Sequence, residues 1–425
     1  MGEAKRRRWC APCFDCLSSN RNYYFIHMCQ RFAVMCFEWS MLILGPCLIV
    51  TVIALVSCET YWALNVLVPR FAERWSARWW AHAVWIAFLC FNGLFNYFSC
   101  VLTNPGTHDS TVYRDLVRAA SVDGTLSAGD WLDYARTHGL DVASKGADVE
   151  APTSAESKRL TSGARPPRSA PAPGFHTRLS ASSWLERGPY EWGYCKRSAG
   201  PKAPRSHYDH VTRKLVLNMD HYCPWMFNCV GFANYRYFVL FLFYVSAACA
   251  YGICLTLSDF VLIAGPRNPR MIRGVRVTNQ MRTAVMFTFV LAVSVGLAVA
   301  ILFGWHCYLV LTAQTTIEFY GNHTLRLRAR VRGERFRNPY DRGYANNFRQ
   351  VFGAAHPLIA VLPSSRKPPG APWPARARAR PALAPPRRRQ RRRPARGARV
   401  HQPVDLVREV RLELREHLLE LDGAR

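Results

Sequence analysis

Four long stretches without Lys, Arg or Glu set the limits on what this chain can fold into. They run from about Trp39 to Cys58, Trp80 to Leu102, Tyr237 to Ala264 and Thr283 to Ala313, and their sole acid is Asp259. Each reaches the ~20 residues that a helix needs to cross ~30 Å of hydrocarbon. Helices buried in a water-soluble core would carry charged stripes at helical spacing, and these carry none. Trp39, Trp79, Trp80 and Tyr237 stand at their ends, where interfacial aromatics are expected. The first stretch follows 38 residues and is too long for the apolar region of a cleavable signal peptide. The expected fold class is an all-α membrane protein with four transmembrane helices.

Charge sets the orientation. The chain has 425 residues, half of them apolar, yet a net charge of +28 from 56 Lys+Arg against 28 Asp+Glu. Such numbers describe very apolar and very basic stretches side by side, and they exclude full disorder, collagen-like structure and a small disulfide scaffold. The segments before the first helix, between the second and third, and after the fourth hold 48 Lys+Arg; the two short connections hold 8. The positive-inside rule then places both termini and the middle loop in the cytosol. The 15 cysteines, an odd number scattered through apolar runs, fit reduced thiols better than disulfide bridges.

The expected organisation is a basic cytosolic N-terminus (1–38), transmembrane helices 1 and 2 (39–102), a cytosolic loop with a flexible insertion (103–191), a cysteine-centred region (192–236), helices 3 and 4 (237–313), a cytosolic motif region (314–353) and an Arg/Pro-rich tail (354–425). Within the loop, Val112, Leu116 and Ala119 have helical spacing, whereas 141–183 is rich in Ala, Ser, Gly and Pro and reads as flexible. Ordered chemistry resumes near Trp192 and centres on Asp220-His221-Tyr222-Cys223-Pro224-Trp225. A thiol is a good nucleophile as thiolate; a nearby His can take its proton, and a carboxylate can hold the imidazole's tautomer. By residue type alone the set is suggestive, because neighbouring Cys and His are more often structural.

These residues, with Asn228 to Gly231 (NCVG) and Asn234, resemble the core of the DHHC family of membrane protein S-acyltransferases. Further motifs lie in the same order. Thr103-Asn104-Pro105-Gly106 resembles the family's DPG motif with Asn for Asp, Thr315-Thr316-Ile317-Glu318 its TTxE motif, and Asn338-Pro339-Tyr340 with the run to Gly353 its C-terminal motif. The resemblance implies a cytosolic catalytic loop between helices 2 and 3. It implies attack of Cys223 on a long-chain acyl-CoA, with His221 as general base and Asp220 orienting it, then transfer to a cysteine of a membrane-associated substrate protein. It maps the family's CoA-phosphate contacts onto Lys202, Arg205 and His207; the plainer reading of these three is a juxtamembrane basic patch. Acyl-CoA is a co-substrate, and no resident cofactor is expected.

The resemblance breaks at zinc. The family's first metal site falls on Cys195, Ser198, Tyr208 and Leu215, and its second on Asp209, Thr212, Tyr222 and Cys229. A structural zinc takes four ligands, so no metal ligand is expected here. Apolar packing of Leu215, Val216, Leu217, Trp225, Met226 and Phe227 would have to hold the loop. The competing reading, a degenerate member serving as membrane scaffold or adaptor, rests on those missing ligands; a transporter reading finds no charges in the four stretches to support it.

The smaller features are peripheral. Cys10, Cys13 and Cys16 beside a basic run suit S-acylation more than zinc. The acid-free run 366–400 is expected to lie on anionic lipid rather than nucleic acid. Residues 405–422 have amphipathic helical spacing. His82 and His306, alone in apolar helices, read as packed residues. The expected location is a Golgi or endoplasmic reticulum membrane.

Overall fold

A computed structural model describes residues 40–41, 43–122, 126, 189–265, 270–354, 356–365 and 383–384. The expectations for the N-terminal cysteines, the insertion 141–183 and the helix 405–422 lie outside these residues. So does the basic tail, apart from Leu383 and Ala384, which pair with Phe336 and Arg335.

Among the described residues, four helices are long and apolar enough to cross a membrane: α1 (Ile43–Arg70), α2 (Ala77–Leu102), α4 (Tyr235–Ala264) and α5 (Asn279–Leu311). Two start on side-chain caps, Ser76 accepting from the Trp79 amide and Thr278 from that of Met281. Helix α4 packs along both α5 and α2. The chain is thus a multi-pass membrane protein.

One boundary differs from expectation. The first span does not end near Cys58 but continues through a π-helical stretch, Ala63–Leu67, and a 3₁₀ turn, Val68–Arg70. Glu59 and Arg70 therefore lie inside it, and the spans are not free of charge. Each charge has a partner across the bundle. Arg70 pairs with Asp259 of α4, both nearly fully buried, and Glu59 accepts a 2.8 Å hydrogen bond from the Thr288 hydroxyl of α5. Polar groups in hydrocarbon are tolerated when they face one another inside a bundle, which is why the helix runs on past them.

Between α2 and α4 the described residues form a short helix, α3 (Thr111–Val122), and three antiparallel hairpins with three residues per strand. They are β1–β2 (Gly193–Cys195 with Gly200–Lys202), β3–β4 (His207–Asp209 with Lys214–Val216) and β5–β6 (His221–Cys223 with Asn228–Val230). Hairpins this short need side-chain support. The buried Tyr113 of α3 supplies some, donating to the Pro201 carbonyl (2.8 Å) and accepting from the Ala203 amide (3.0 Å). After α5 come α6 (Thr316–Val331), α7 (Tyr344–Phe352) and the single-turn α8 (Pro357–Ala360). The last of these belongs to the stretch expected to begin the tail, yet Ala360 is wholly buried.

Candidate active site

The hairpin β5–β6 carries Cys223 at the end of its first strand, opposite Asn228. Pro224–Met226 then form one 3₁₀ turn, and Phe227 reverses the chain with φ +47°. A non-glycine residue held there is uncommon. Its ring explains the placement, since it lies so close to Gly45 of α1 that any side chain at that position would collide with it. The turn is held from the other side by Tyr97 of α2, which donates to the Trp225 carbonyl (2.8 Å). Of the six apolar residues expected to hold the loop, Leu215, Val216, Leu217 and Met226 are wholly buried, while Trp225 is 51% exposed.

The asparagines fasten the hairpin to the end of α2, whose last carbonyls have no helical partner. Asn228 Nδ2 reaches the carbonyls of Cys100, Val101 and Thr103 at 3.0–3.1 Å. Asn234 accepts from the Gly231 amide (2.8 Å) and donates to the Cys229 carbonyl (2.8 Å). Asn104, standing where the resemblance expects Asp, still serves as an acceptor, and its Oδ1 takes the amides of Gly106 and Thr107, both at 2.9 Å. Gly106 needs its φ of +101°. Its carbonyl accepts from Leu217, and Leu217's carbonyl accepts from Phe232, each at 2.9 Å. A methyl group at Gly231 would clash with Val216 and the Pro105 carbonyl, so these two motifs touch through glycine.

At the centre, His221 Nδ1 lies 2.7 Å from Asp220 Oδ2. Asp220 is buried and takes two more hydrogen bonds from Thr316, backbone N–H to Oδ1 (2.7 Å) and hydroxyl to Oδ2 (2.9 Å). Thr316 is the first residue of α6, so the carboxylate also sits at a helix N-terminus, where the dipole favours negative charge. Burial opposes ionisation of Asp220, but the His221 bond and the Thr316 amide outweigh it and hold its carboxyl below the usual range. Burial likewise opposes charge on His221. The bonds to Asp220 and to Cys223 prevail and raise its pKa to about 9. With Nδ1–H directed at Asp220, Nε2 is the atom left to accept a proton from sulfur.

The other TTxE residues build the platform. Thr315 and Glu318 form a capping box in which the Glu318 amide donates to the Thr315 hydroxyl (3.2 Å) and the Thr315 amide donates to Glu318 Oε2 (2.9 Å). Glu318 also takes a two-pronged contact from Arg205, Nε at 2.7 Å and Nη2 at 2.6 Å, with both side chains buried. The Arg205 guanidinium lies 4.3 Å from the Tyr340 ring centroid, and Asn338 Nδ2 donates to the Thr312 carbonyl at 2.7 Å.

This bears on one expectation. Lys202, Arg205 and His207 do line a single recess, with Glu191 and Tyr340, and Arg205 is also paired with Glu318, which gives it a structural part in the platform. Lys202 and His207 are half-buried at the same recess.

The positions of the implied zinc sites do not fit that metal. In the first, Cys195 and Leu215 belong to an apolar cluster with Tyr113, Val117 and Phe232. In the second, Asp209 Oδ2 accepts both the amide (2.7 Å) and the hydroxyl (2.6 Å) of Thr212, whose oxygen lies 4.0 Å from Cys229 Sγ. Burial and then Asp209 push the Tyr222 phenol up to about 12, and the same two causes push the Cys229 thiol up strongly. Protonated groups are poor zinc ligands. Where a metal would cross-link the loop, a hydrogen-bonded knot and a patch of apolar packing hold it. Strong chelators are therefore expected to leave the unfolding midpoint unchanged, and elemental analysis to find well under one zinc per chain. Stoichiometric zinc would contradict this.

His306 is a packed residue, as expected, but it packs against the site itself. It is buried against His221, Phe238 and Tyr235, with ring centroids at 6.0, 5.0 and 5.7 Å, and Tyr235 Oη lies 3.0 Å from its Nδ1. Polar atoms of Asp220, His221 and His306 all lie within 4.8 Å of one another. A lone His in an apolar helix carries no sign of such company. Asn322, within a glycosylation sequon, is buried and donates to Gln314 Oε1 (2.9 Å).

The fold and site define a multi-pass membrane protein that carries an Asp-His-Cys set between its second and third spans. Residues 189–323 match the family model of the DHHC palmitoyltransferases, and over this stretch the chain is similar to that family. It is similar to the probable protein S-acyltransferase 16 of Arabidopsis thaliana, 33% identical over 173 residues, which is 41% of this chain and 58% of that protein. It is also similar to palmitoyltransferase ZDHHC2 of Mus musculus, 34% identical over 38% of this chain and 40% of the relative. Palmitoyltransferase ZDHHC15 of Rattus norvegicus is 32% identical over 38% and 43%, respectively. The matched stretch thus spans about half the length of these relatives.

Proposed function

We propose that the chain is a protein S-acyltransferase that moves a long-chain acyl group, such as palmitoyl, from acyl-CoA to protein cysteines. The observation that carries this reading is the Asp220–His221–Cys223 set, with its carboxylate held by Thr316 at the start of α6. In the first step His221, whose raised pKa keeps it protonated at neutral pH, holds on Nε2 the proton it shares with Cys223 as sulfur attacks the thioester carbonyl. The C–S bond to CoA breaks, and the proton leaves with the CoA thiolate. In the second step an acceptor cysteine gives its proton to the same nitrogen and attacks the acyl-enzyme; the C–S bond to Cys223 breaks, and the proton returns to the pair of His221 Nε2 and the freed Cys223 sulfur. Asp220 offsets the imidazolium charge in both steps.

Cys223 is buried among Tyr97, Cys100, Met226 and Phe238. The acyl chain would lie on this apolar side, where each CH₂ withdrawn from water contributes ~0.8 kcal/mol. The CoA phosphates would meet Lys202 and His207 at the recess. Lys202→Ala should raise the KM for acyl-CoA with little change in kcat, and the effect should grow at low ionic strength, where screening is least. An unchanged KM would return Lys202 to a general basic patch.

In this reading both termini and the hairpin region face the cytosol from a Golgi or endoplasmic reticulum membrane, and the basic tail lies on anionic lipid, as the distribution of basic residues supports. The scaffold reading is disfavoured by a site whose every catalytic group has its partner. The test is incubation with labelled palmitoyl-CoA and a cysteine-bearing acceptor. Label should pass through the chain to the acceptor in a form that hydroxylamine releases. Release of CoA without acceptor labelling would contradict transfer to protein.

A further inference from the structure

Beyond the catalytic site, the segment after α7 has an environment that the proposed activity does not explain. Residues 350–365 contain no Lys, Arg, Asp or Glu and are bounded by Arg349 and by Arg366-Lys367. The chain turns at Gly353 (φ +84°) and enters α8. It docks on α4 through two carbonyls, with Ala360 accepting from Arg236 Nη2 (3.3 Å) and Val361 from the Tyr244 hydroxyl (2.9 Å).

Tyr244 is not at the edge of the bundle. It stands nine residues into α4, about 13 Å along the axis, and its Cβ lies 4.0 Å from the Cβ position of Gly93, nine residues before the end of α2. The side chain leans back toward the start of its helix, so the contact falls at the level of the first turns of the spans. In the same segment three large aliphatic side chains are left uncovered by the bundle: Leu358 is 74% exposed, Ile359 49% and Leu362 43%.

The backbone is suited to a place without water. The Leu358 amide has His356 Nδ1 at 3.4 Å. Those of Ile359 and Ala360 donate to the His356 carbonyl, that of Val361 to Pro357 and that of Leu362 to Ile359. Pro357 and Pro363, which bound the segment, have no N–H. Every amide from 357 to 363 is therefore satisfied within the segment, as hydrocarbon requires and water does not.

We propose that residues 357–363 form a re-entrant element that dips into the cytosolic leaflet, with Leu358, Ile359 and Leu362 facing lipid acyl chains. It tethers α7, and with it the Asn338–Tyr340 motif beneath Arg205, to the bilayer. The occupant is lipid rather than a protein because the aliphatics sit beside the spans, with basic residues flanking them in sequence where headgroups would lie.

The test places an environment-sensitive fluorescent amino acid, by codon reassignment, at Leu358 of the full chain in phosphatidylcholine nanodiscs. Val290, on the outer face of α5, is the lipid reference, and Arg332 the aqueous one. Quenching at Leu358 should match Val290 with doxyl-labelled lipid, and iodide should quench it several-fold less than at Arg332. Quenching by iodide but not by doxyl lipid would overturn the proposal, and so would protection from both, which would signal a protein cover. The same label at Leu362 gives an independent reading if the first substitution misfolds.

Discussion

Arg205→Ala is expected to destabilise the chain by about 3–5 kcal/mol, the cost of leaving one partner of a buried ion pair alone. Arg205 and Glu318 are both nearly inaccessible and bound by two short hydrogen bonds. Glu318 cannot relax into water, because it also caps α6 through Thr315. Loss of the guanidinium should also loosen the adjoining Thr316, and with it the grip on Asp220. Arg205→Lys should recover only part of the loss, since an ammonium cannot match the planar fork. The pair Arg205→Met with Glu318→Leu should be less damaging than Arg205→Ala alone, because no charge is left buried. Unfolding midpoints in one detergent compare the variants. A single-variant cost below about 1 kcal/mol, the range of exposed pairs, would show that the platform does not depend on this bridge.

Asp220→Asn should lower the acylation rate by about 10³–10⁴-fold with little loss of fold, since shape and size are kept and the imidazole loses its fixed tautomer and counter-charge. It should also bring the His221 pKa from about 9 toward the ordinary value near 6.5. A raised pKa means that the folded chain holds this proton more tightly than the unfolded one. The contribution of His221 is therefore complete below pH 6.5 and lost as pH rises through about 9. The parent's unfolding midpoint should fall across that window, and the variant's should change less. Histidine spectra of isotopically labelled protein report the pKa directly; an unmoved titration in the variant would remove Asp220 from its role.

The four spans were legible because uncharged runs of their length have few soluble explanations. The end of α1 was not, since Glu59 and Arg70 look like loop residues until Thr288 and Asp259 come into view. The motifs could be recognised in the sequence, but their roles could not. Nothing local says that Asn228 closes the end of α2, or that the second Thr of the TTxE motif holds Asp220 from 96 residues away. The structural part of Arg205 was hidden for the same reason: a basic residue beside a membrane suggests phosphate, and Glu318, which it pairs with, is 113 residues on. The segment 357–363 was hidden by averaging with the Arg- and Pro-rich tail that follows it.

A thioester at Cys223 is the intermediate on which both half-reactions depend, and it can be detected directly. The full chain, with Cys10, Cys13 and Cys16 replaced by Ser, is incubated with labelled palmitoyl-CoA beside its Cys223→Ser counterpart. The parent should take up label that neutral hydroxylamine releases and that peptide mass spectrometry assigns to Cys223, and Cys223→Ser should take up none that is released this way. Equal hydroxylamine-labile labelling of the two proteins would contradict the nucleophile assignment and the mechanism built on it.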